Sequence, residues 1–351
     1  MSDSIQRIIE ILPSPGEIKQ ELLLSKERET FISDSRNTVR SILNGQDSRL
    51  LVIVGPCSIH HTDSAKEFAR RLIELQNIVK DSFYLIMRVY SEKSRTKTGW
   101  KGLLNDPHLD GTEDIATGIR WTRSLLLELT KMGIPTATEF LDPLSSRYYE
   151  DLITWGCIGA RTSESQTHRQ MASGLPMPIA FKNSTAGSID VALNGIICAS
   201  GEHRRICVEE NGRICVTKTE GNKDLHIALR GGKAMPNYGK IYVHAVLEVL
   251  KEHALPEKIL IDCSHDNSPN DETEQETVFY DVINQVIEGN AAIKGVILES
   301  HLQGGKQLFE GTAPHPETSI TDPCLGWNKT EELLKEGAQR LKTKSRIECS
   351  S

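Results

Sequence analysis

The chain has 351 residues, with 41 Lys plus Arg against 48 Asp plus Glu and a formal net charge of −7. That balance argues against nucleic acid or an anionic membrane as a partner, while leaving room for a local basic site. No apolar run reaches the length of a membrane span, the N-terminus lacks a secretory signal, and eight cysteines without a CxxC pair point to a reducing cytoplasm.

The first 47 residues read as a polar, helical extension separate from any strand. IIEIL precedes the turn-like PSPGE, and IKQELLLSKERETFISDSRNTVRSILNG follows. From residue 48 to 351 short apolar runs alternate with amphipathic stretches. The runs are LLVIVGPC (50–57), FYLIMRVY (83–90), PTATEF (135–140), CIGARTS (157–163), PIAFKNS (178–184), HIALRGG (226–232), ILIDCSH (259–265) and GVILESH (295–301). Helical periodicity marks 64–80, 113–133, 147–156, 188–200, 242–254 and 330–342. Strands alternating with helices imply a parallel sheet, and eight is the number that closes a (β/α)8 TIM barrel. An open doubly wound sheet predicts a glycine-rich phosphate loop after the first strand, whereas Gly55-Pro56-Cys57-Ser58 stands there. Two β-rich runs around Asn211-Gly212 predict an inserted hairpin, about 202–222, with a two-residue turn.

Each strand ends in a polar group: Cys57, Arg88, Glu139, Arg161, Lys182, Arg230, His265 and Glu299. In a barrel these ends converge on one mouth, where active sites form. Arg88, Arg161, Lys182 and Arg230, with Lys93, Arg95 and Lys101 from the loop after the second strand, make a cationic set suited to a substrate with several anionic groups. Taken singly, each is more often the partner of a nearby carboxylate. Cys57, His265, Glu299 and Asp322 offer donors suited to one divalent Mn, Fe, Co or Zn ion. Their spacing is uninformative. A lone Cys57 is more often a buried strand cysteine, and His60, His61, His108, His168 and His301 are rival ligands. Glu139 either orients a water or accepts a proton, or else serves as a counter-ion to Arg161 or Lys182.

LLVIVGPCSIH, MRVYSEKSRTKTGWKGLLNDP, TEFLDP, WGCIGARTSESQTHRQMASGL, FKNSTAG, HIALRGGK, IDCSHDNS, ESHLQGG and SITDPCLGW resemble the type I 3-deoxy-D-arabino-heptulosonate 7-phosphate (DAHP) synthases, the microbial enzymes sensitive to aromatic amino acids. The resemblance runs from about residue 7 to about 342. It implies condensation of phosphoenolpyruvate with erythrose 4-phosphate at the head of the shikimate pathway, in a cytoplasmic homodimer or homotetramer. It implies Cys57, His265, Glu299 and Asp322 as metal ligands. Arg88, Lys93, Lys101, Arg161, Lys182 and Arg230 match the phosphoenolpyruvate site, and Lys93, Arg95, Thr96 and Asp322 the aldose phosphate site. Lys93, Glu139, Lys182 and His265 are the expected catalytic groups.

The chain departs from the family pattern in places. Ser94 stands where proline is usual, loosening the aldose loop and adding a hydroxyl. Ser184 and Ala186 replace glycine and aspartate, and a glycine there would tolerate backbone angles that serine avoids. Leu175, Pro176 and Cys207 fall where the resemblance places an aromatic amino acid effector, and Pro176 cannot copy a serine's hydrogen bonds. Weak or altered feedback is therefore expected. Rival readings are condensation with another aldose phosphate in a specialised pathway, and a non-catalytic metabolite-binding paralogue.

Overall fold

The structure is a computed structural model describing residues 7–95, 99–269, 271–309 and 313–348. Its strands in chain order are β1 (Leu50–Gly55), β2 (Phe83–Arg88), β3 (Thr136–Glu139), β4 (Trp155–Ile158), β5 (Ile179–Lys182), β6 (His203–Val208), β7 (Ile214–Thr219), β8 (Leu225–Leu229), β9 (Ile259–Asp262), β10 (Ile293–His301) and β11 (Leu325–Gly326). The order β1-β2-β3-β4-β5-β8-β9-β10 is parallel throughout, and β1 pairs with β10 to close the barrel. β6 and β7 form the separate antiparallel hairpin.

Alternation along the strands divides two cores. Leu51, Ile53, Ile86, Ala137, Trp155, Cys157, Ala180, Ala228, Leu260 and Ile297 pack inside the barrel. Val52, Val54, Leu85, Met87, Ile179, Phe181, Ile227 and Ile261 pack outward with the surrounding helices. A period of two sends every second side chain inward, so these strands are apolar on both faces. The same inward register, carried to the strand ends, reaches Cys57, Arg88, Glu139, Lys182, Arg230, Asp262 and Glu299. The barrel thus changes from an apolar interior to a polar mouth along a single set of positions.

The extension forms α1 (Pro15–Glu21) and α2 (Lys26–Leu43). A capping box closes the start of α1, in which Ser14 and Glu17 satisfy each other's backbone donors. The end of α2 closes the bottom of the barrel: Val39, Ile42 and Leu43 join the interior cluster and are essentially buried. Gly16 N–H donates to the Glu210 carbonyl at 2.7 Å, and Lys19 pairs with Glu210 at 2.8 Å, so α1 lies on the hairpin tip of its own chain.

The remaining α-helices are α3 (Thr62–Val79), α4 (Ile115–Met132), α5 (Gln166–Ala172), α6 (Asp190–Ala199), α7 (Lys240–Glu252), α8 (Glu274–Ile287) and α9 (Trp327–Glu348). Three expectations need correction. Residues 147–156 are not a helix but two short 3₁₀ turns, Ser145–Tyr148 and Glu150–Leu152, running into β4. Their carbonyls are taken by arginines from elsewhere: Arg36 bonds Glu150 O and Ile153 O, and Arg123 bonds Tyr148 O. The sequence reading also missed α5 and α8. The hairpin turn has three residues rather than two. Gly212 N–H donates to Glu209 O at 2.9 Å, Glu209 N–H donates to Arg213 O at 2.9 Å, and Gly212 takes a φ of 81°. That is a type I turn followed by a left-handed glycine.

Candidate active site

A cavity of about 620 Å³ opens at the C-terminal mouth of the barrel, lined among others by Lys93, Ser94, Arg95, Glu139, Arg161, Arg230, His265, Glu299 and Asp322. Arg88 and Lys182 lie beneath it, 0% and 2% exposed. Thr96 lies outside the described residues. Lys101 does not join the mouth; it is exposed and pairs with Glu113 at 2.5 Å.

One donor atom from each of Cys57, Glu299 and Asp322 lies within 4.8 Å of the other two. Cys57 Sγ is 3.3 Å from Asp322 Oδ2. Lys93 Nζ bridges them, 2.7 Å from the sulfur and 3.0 Å from the carboxylate. His265 stands beside this trio, with Nε2 3.7 Å from Glu299 Oε1 and Nδ1 3.0 Å from Asp262 Oδ2. Nδ1 is held by the Asp262 carboxylate and by the Ser264 hydroxyl at 2.7 Å, which turns Nε2 toward Glu299. A thiol and two carboxylates around one point, with an imidazole beside them, are donors that a borderline divalent ion accepts, so the residues fit such an ion. Burial pushes the Cys57 thiol up to about 12, helped by the Glu299 charge. Burial opposes the charge on Lys93, but Cys57, Asp322 and Glu299 outweigh it and hold the ammonium above its ordinary range. Lys93, with the cost of burial opposing, is also the main reason that Asp322 stays well below the usual carboxylate range. The rival histidines are engaged elsewhere. His60 contacts His315 O, His61 caps α3, His108 pairs with Asp114, and His168 bonds Leu141 O. His301 is buried against His60 rather than facing the trio.

The cations sit on a polar floor. Arg88 stacks on Tyr90 with 4.0 Å to the ring centroid and donates to Glu299 at 2.9 Å. Its Nη1 is buried without a hydrogen-bond partner among the described residues, a donor suited to an incoming anion. Lys182 donates to Asp262 at 2.9 Å. Burial works against Asp262 ionising, yet His265 and Lys182 hold it well below the carboxylate range. Glu139 is fitted closely against Gly159, where a Cβ would lie 2.1 Å from its Oε1.

Several contributors escaped the sequence reading. Asp262 orients His265 and Lys182, and its signal was present as a lone acid inside the apolar run ILIDC. Three buried asparagines hold the turn that carries Arg230. Asn183 Oδ1 accepts from Arg230 N at 2.8 Å, Asn237 Oδ1 accepts from Gly231 N at 2.7 Å, and Asn267 Oδ1 accepts from Asn237 N at 2.8 Å. Asn183 and Asn267 fall inside the motifs FKNSTAG and IDCSHDNS, but no sequence pattern marks their shared task, which is set by loops that meet only in space. Glu92, before Lys93, accepts from Ser145 and Tyr149 hydroxyls, each at 2.9 Å. Ser94 lines the cavity as expected. Ser184 does not, and its backbone stays outside the left-handed region, so the expected strain is absent.

A second cavity of about 450 Å³ lies between the hairpin and the segment after β4. Leu175 and Cys207 line it, with Arg147, Glu150, Met171, Arg205 and Lys218. Pro176 is not in its wall; its carbonyl accepts from Arg40 at 3.0 Å.

Fold and mouth together define a parallel-barrel enzyme that handles small anionic substrates beside a metal-competent cluster. The model of the DAHP synthetase I family matches residues 24–335. The Tyr-sensitive phospho-2-dehydro-3-deoxyheptonate aldolase of Escherichia coli K12 is 46% identical over 336 residues, 95% of this chain and 94% of the relative. The Phe-sensitive enzyme of the same organism is 44% identical over 341 residues, 97% of each chain. A solved phospho-2-dehydro-3-deoxyheptonate aldolase from Francisella tularensis SCHU S4 superimposes with a TM-score of 0.94 at 39% identity, covering 97% of this chain and 99% of that one. The chain belongs to the DAHP synthetase I family.

Proposed function

We propose that the barrel mouth performs the family's reaction with the residues described above. The reaction condenses phosphoenolpyruvate with D-erythrose 4-phosphate and water to give DAHP and phosphate, the first step of the shikimate pathway. Cys57, Glu299 and Asp322, joined by His265, would hold one divalent ion, which when bound supplies a Lewis acid for the aldehyde oxygen. Arg88, Lys182, Arg161 and Arg230 hold the phosphate and carboxylate of phosphoenolpyruvate. Arg95, with Thr96, takes the phosphate of the aldose. These cations fix both anionic reactants in line and offset their repulsion. Attack by the methylene carbon leaves positive character at the enolpyruvyl C2, where Glu139 and Lys182 place the water; as it adds to C2 it gives up a proton, which Glu139 accepts. Lys93 delivers the proton to the new alkoxide, a role supported by its position between Cys57 and Asp322. C–O cleavage then releases phosphate.

The observation that carries this reading is the convergence of the thiol and carboxylate trio with a buried, incompletely partnered Arg88 beneath one cavity. Loss of the phosphoenolpyruvate ultraviolet absorbance with Mn2+ and erythrose 4-phosphate tests it. Chelation by EDTA and the change Cys57→Ala are each expected to lower the rate by about 100-fold or more, because each removes the Lewis acid or one of its direct ligands. An unaffected rate in either case overturns the metal assignment. Ser94 on the cavity wall favours one second reading, a different aldose phosphate, and loss of phosphoenolpyruvate only with another aldehyde would establish it.

The second cavity supports an effector site at the hairpin. The relatives are named for sensitivity to tyrosine or phenylalanine. Here Arg147, Glu150, Arg205 and Lys218 make the wall strongly charged, which supports weak binding of an aromatic ring. Ile8, Ile9 and Ile11 are more than 80% exposed, which supports burial of the extension against a second copy in a homodimer or homotetramer.

A further inference from the structure

We propose that Asp266 tunes the affinity of this site for its anionic substrate by acting as a built-in competitor for Arg230. The inference rests on the reading of Arg230 as a substrate-binding cation. Asp266 makes a close ion pair with the Arg230 guanidinium through Nη1 and Oδ2. It also lines the same cavity. Three other cation–carboxylate pairs among the described residues of the site differ in kind. Glu299 and Asp262, the partners of Arg88 and Lys182, are 2% and 0% exposed and cannot turn away into water. Asp322, the partner of Lys93, belongs to the metal-competent trio. Asp266 is 29% exposed at the rim while Arg230 is 9% exposed, so this carboxylate has somewhere to go.

The contact is built into the backbone. Asp266 N–H donates to the Arg230 carbonyl at 3.2 Å. Gly231 takes a φ of 77°, and a Cβ there would lie 2.3 Å from the Asp266 carbonyl carbon, so the two turns are pressed together. Asn183, Asn237 and Asn267 fix both turns from behind. With both main chains held, the freedom left is rotation of the Asp266 side chain. A phosphate or carboxylate approaching Arg230 must displace that side chain and then tolerate its negative charge nearby. Asp266 is a positioning and specificity residue in this account. It lowers affinity for the anion and keeps Arg230 extended into the mouth until one arrives.

The test compares wild type, Asp266→Asn, Asp266→Ser and Arg230→Gln in the metal-loaded full chain. Steady-state kinetics gives KM for each substrate and inhibition by inorganic phosphate; calorimetry gives phosphoenolpyruvate binding directly. Both Asp266 variants are expected to lower KM for phosphoenolpyruvate and the inhibition constant of phosphate about three- to tenfold, the scale of a partly exposed ion pair. KM for erythrose 4-phosphate should move less than about twofold on the same scale. A purely structural role would instead lower stability or shift both KM values together. An unchanged or raised phosphoenolpyruvate KM in both variants overturns the proposal. If Arg230→Gln abolishes phosphoenolpyruvate binding while the Asp266 variants bind as wild type, the inference about Asp266 alone fails. If Arg230→Gln binds normally, the assignment of Arg230 fails, and this inference with it.

Discussion

Glu92 shows how burial changes a single residue. It is 6% exposed, and burial pushes its carboxyl up to about 7 from an ordinary 4.5, although Tyr149 and Ser145 donate hydrogen bonds to it. The folded chain therefore holds this proton where the unfolded chain has lost it. Stability from this group is fully present below pH 4.5 and falls as the pH rises towards 7. The span is on the order of 3 kcal/mol. Denaturant titrations across that window should show the decline in wild type and a flatter profile in Glu92→Gln. Equal slopes in the two proteins would mean that Glu92 ionises normally. The periodicity of the sequence said nothing of this, because Glu92 sits in a loop, and the groups that bury it come from residues 145–149.

At the scale of elements, the inward register of the strands carried the most information. Cys57, Arg88, Glu139, Lys182 and Glu299 were legible as polar ends of apolar runs, and the structure shows that they continue an alternation that begins in the apolar core. The turns around Arg230 were not legible, since three asparagines from three loops hold them. The Asn183 side chain takes part in four hydrogen bonds, to Ser184 O, Gly231 O, Arg230 N and Asn237. Asn183→Ala strands those buried groups and is expected to cost about 2–4 kcal/mol. It should also raise KM for phosphoenolpyruvate by letting Arg230 drift, which kinetics and thermal unfolding together will detect. Residues 147–156 misled for a related reason. Their apolar spacing suits a helix, yet Arg36 and Arg123, distant in sequence, claim the carbonyls that a helix would use.

For the whole molecule, the extension is part of the barrel's closure. Its helix α2 seals the bottom, and Ile42 is 1% exposed within the interior cluster. Ile42→Ala should leave a cavity and cost about 2–5 kcal/mol in chemical denaturation. KM for both substrates should stay within about twofold, because the change lies at the end of the barrel opposite the mouth. A large KM effect would show that the plug and the mouth are coupled. Among the described residues no helix is long and apolar enough to cross a membrane.

What the sequence by itself determined was the barrel, the hairpin insertion, the family and which polar residues stand at the strand ends. These follow from local periodicity and from contiguous motifs such as GPCSIH and ESHLQGG, which short stretches of chain can carry alone. Only the tertiary structure decided that Lys101 leaves the mouth, that Pro176 leaves the second cavity, and that Asp262, Asp266 and the asparagines enter the site. It also decided that α1 lies on its own hairpin and α2 under its own barrel. Each of these depends on side chains from distant segments meeting in space. Closure of the parallel sheet sets those meetings, and no local pattern encodes them.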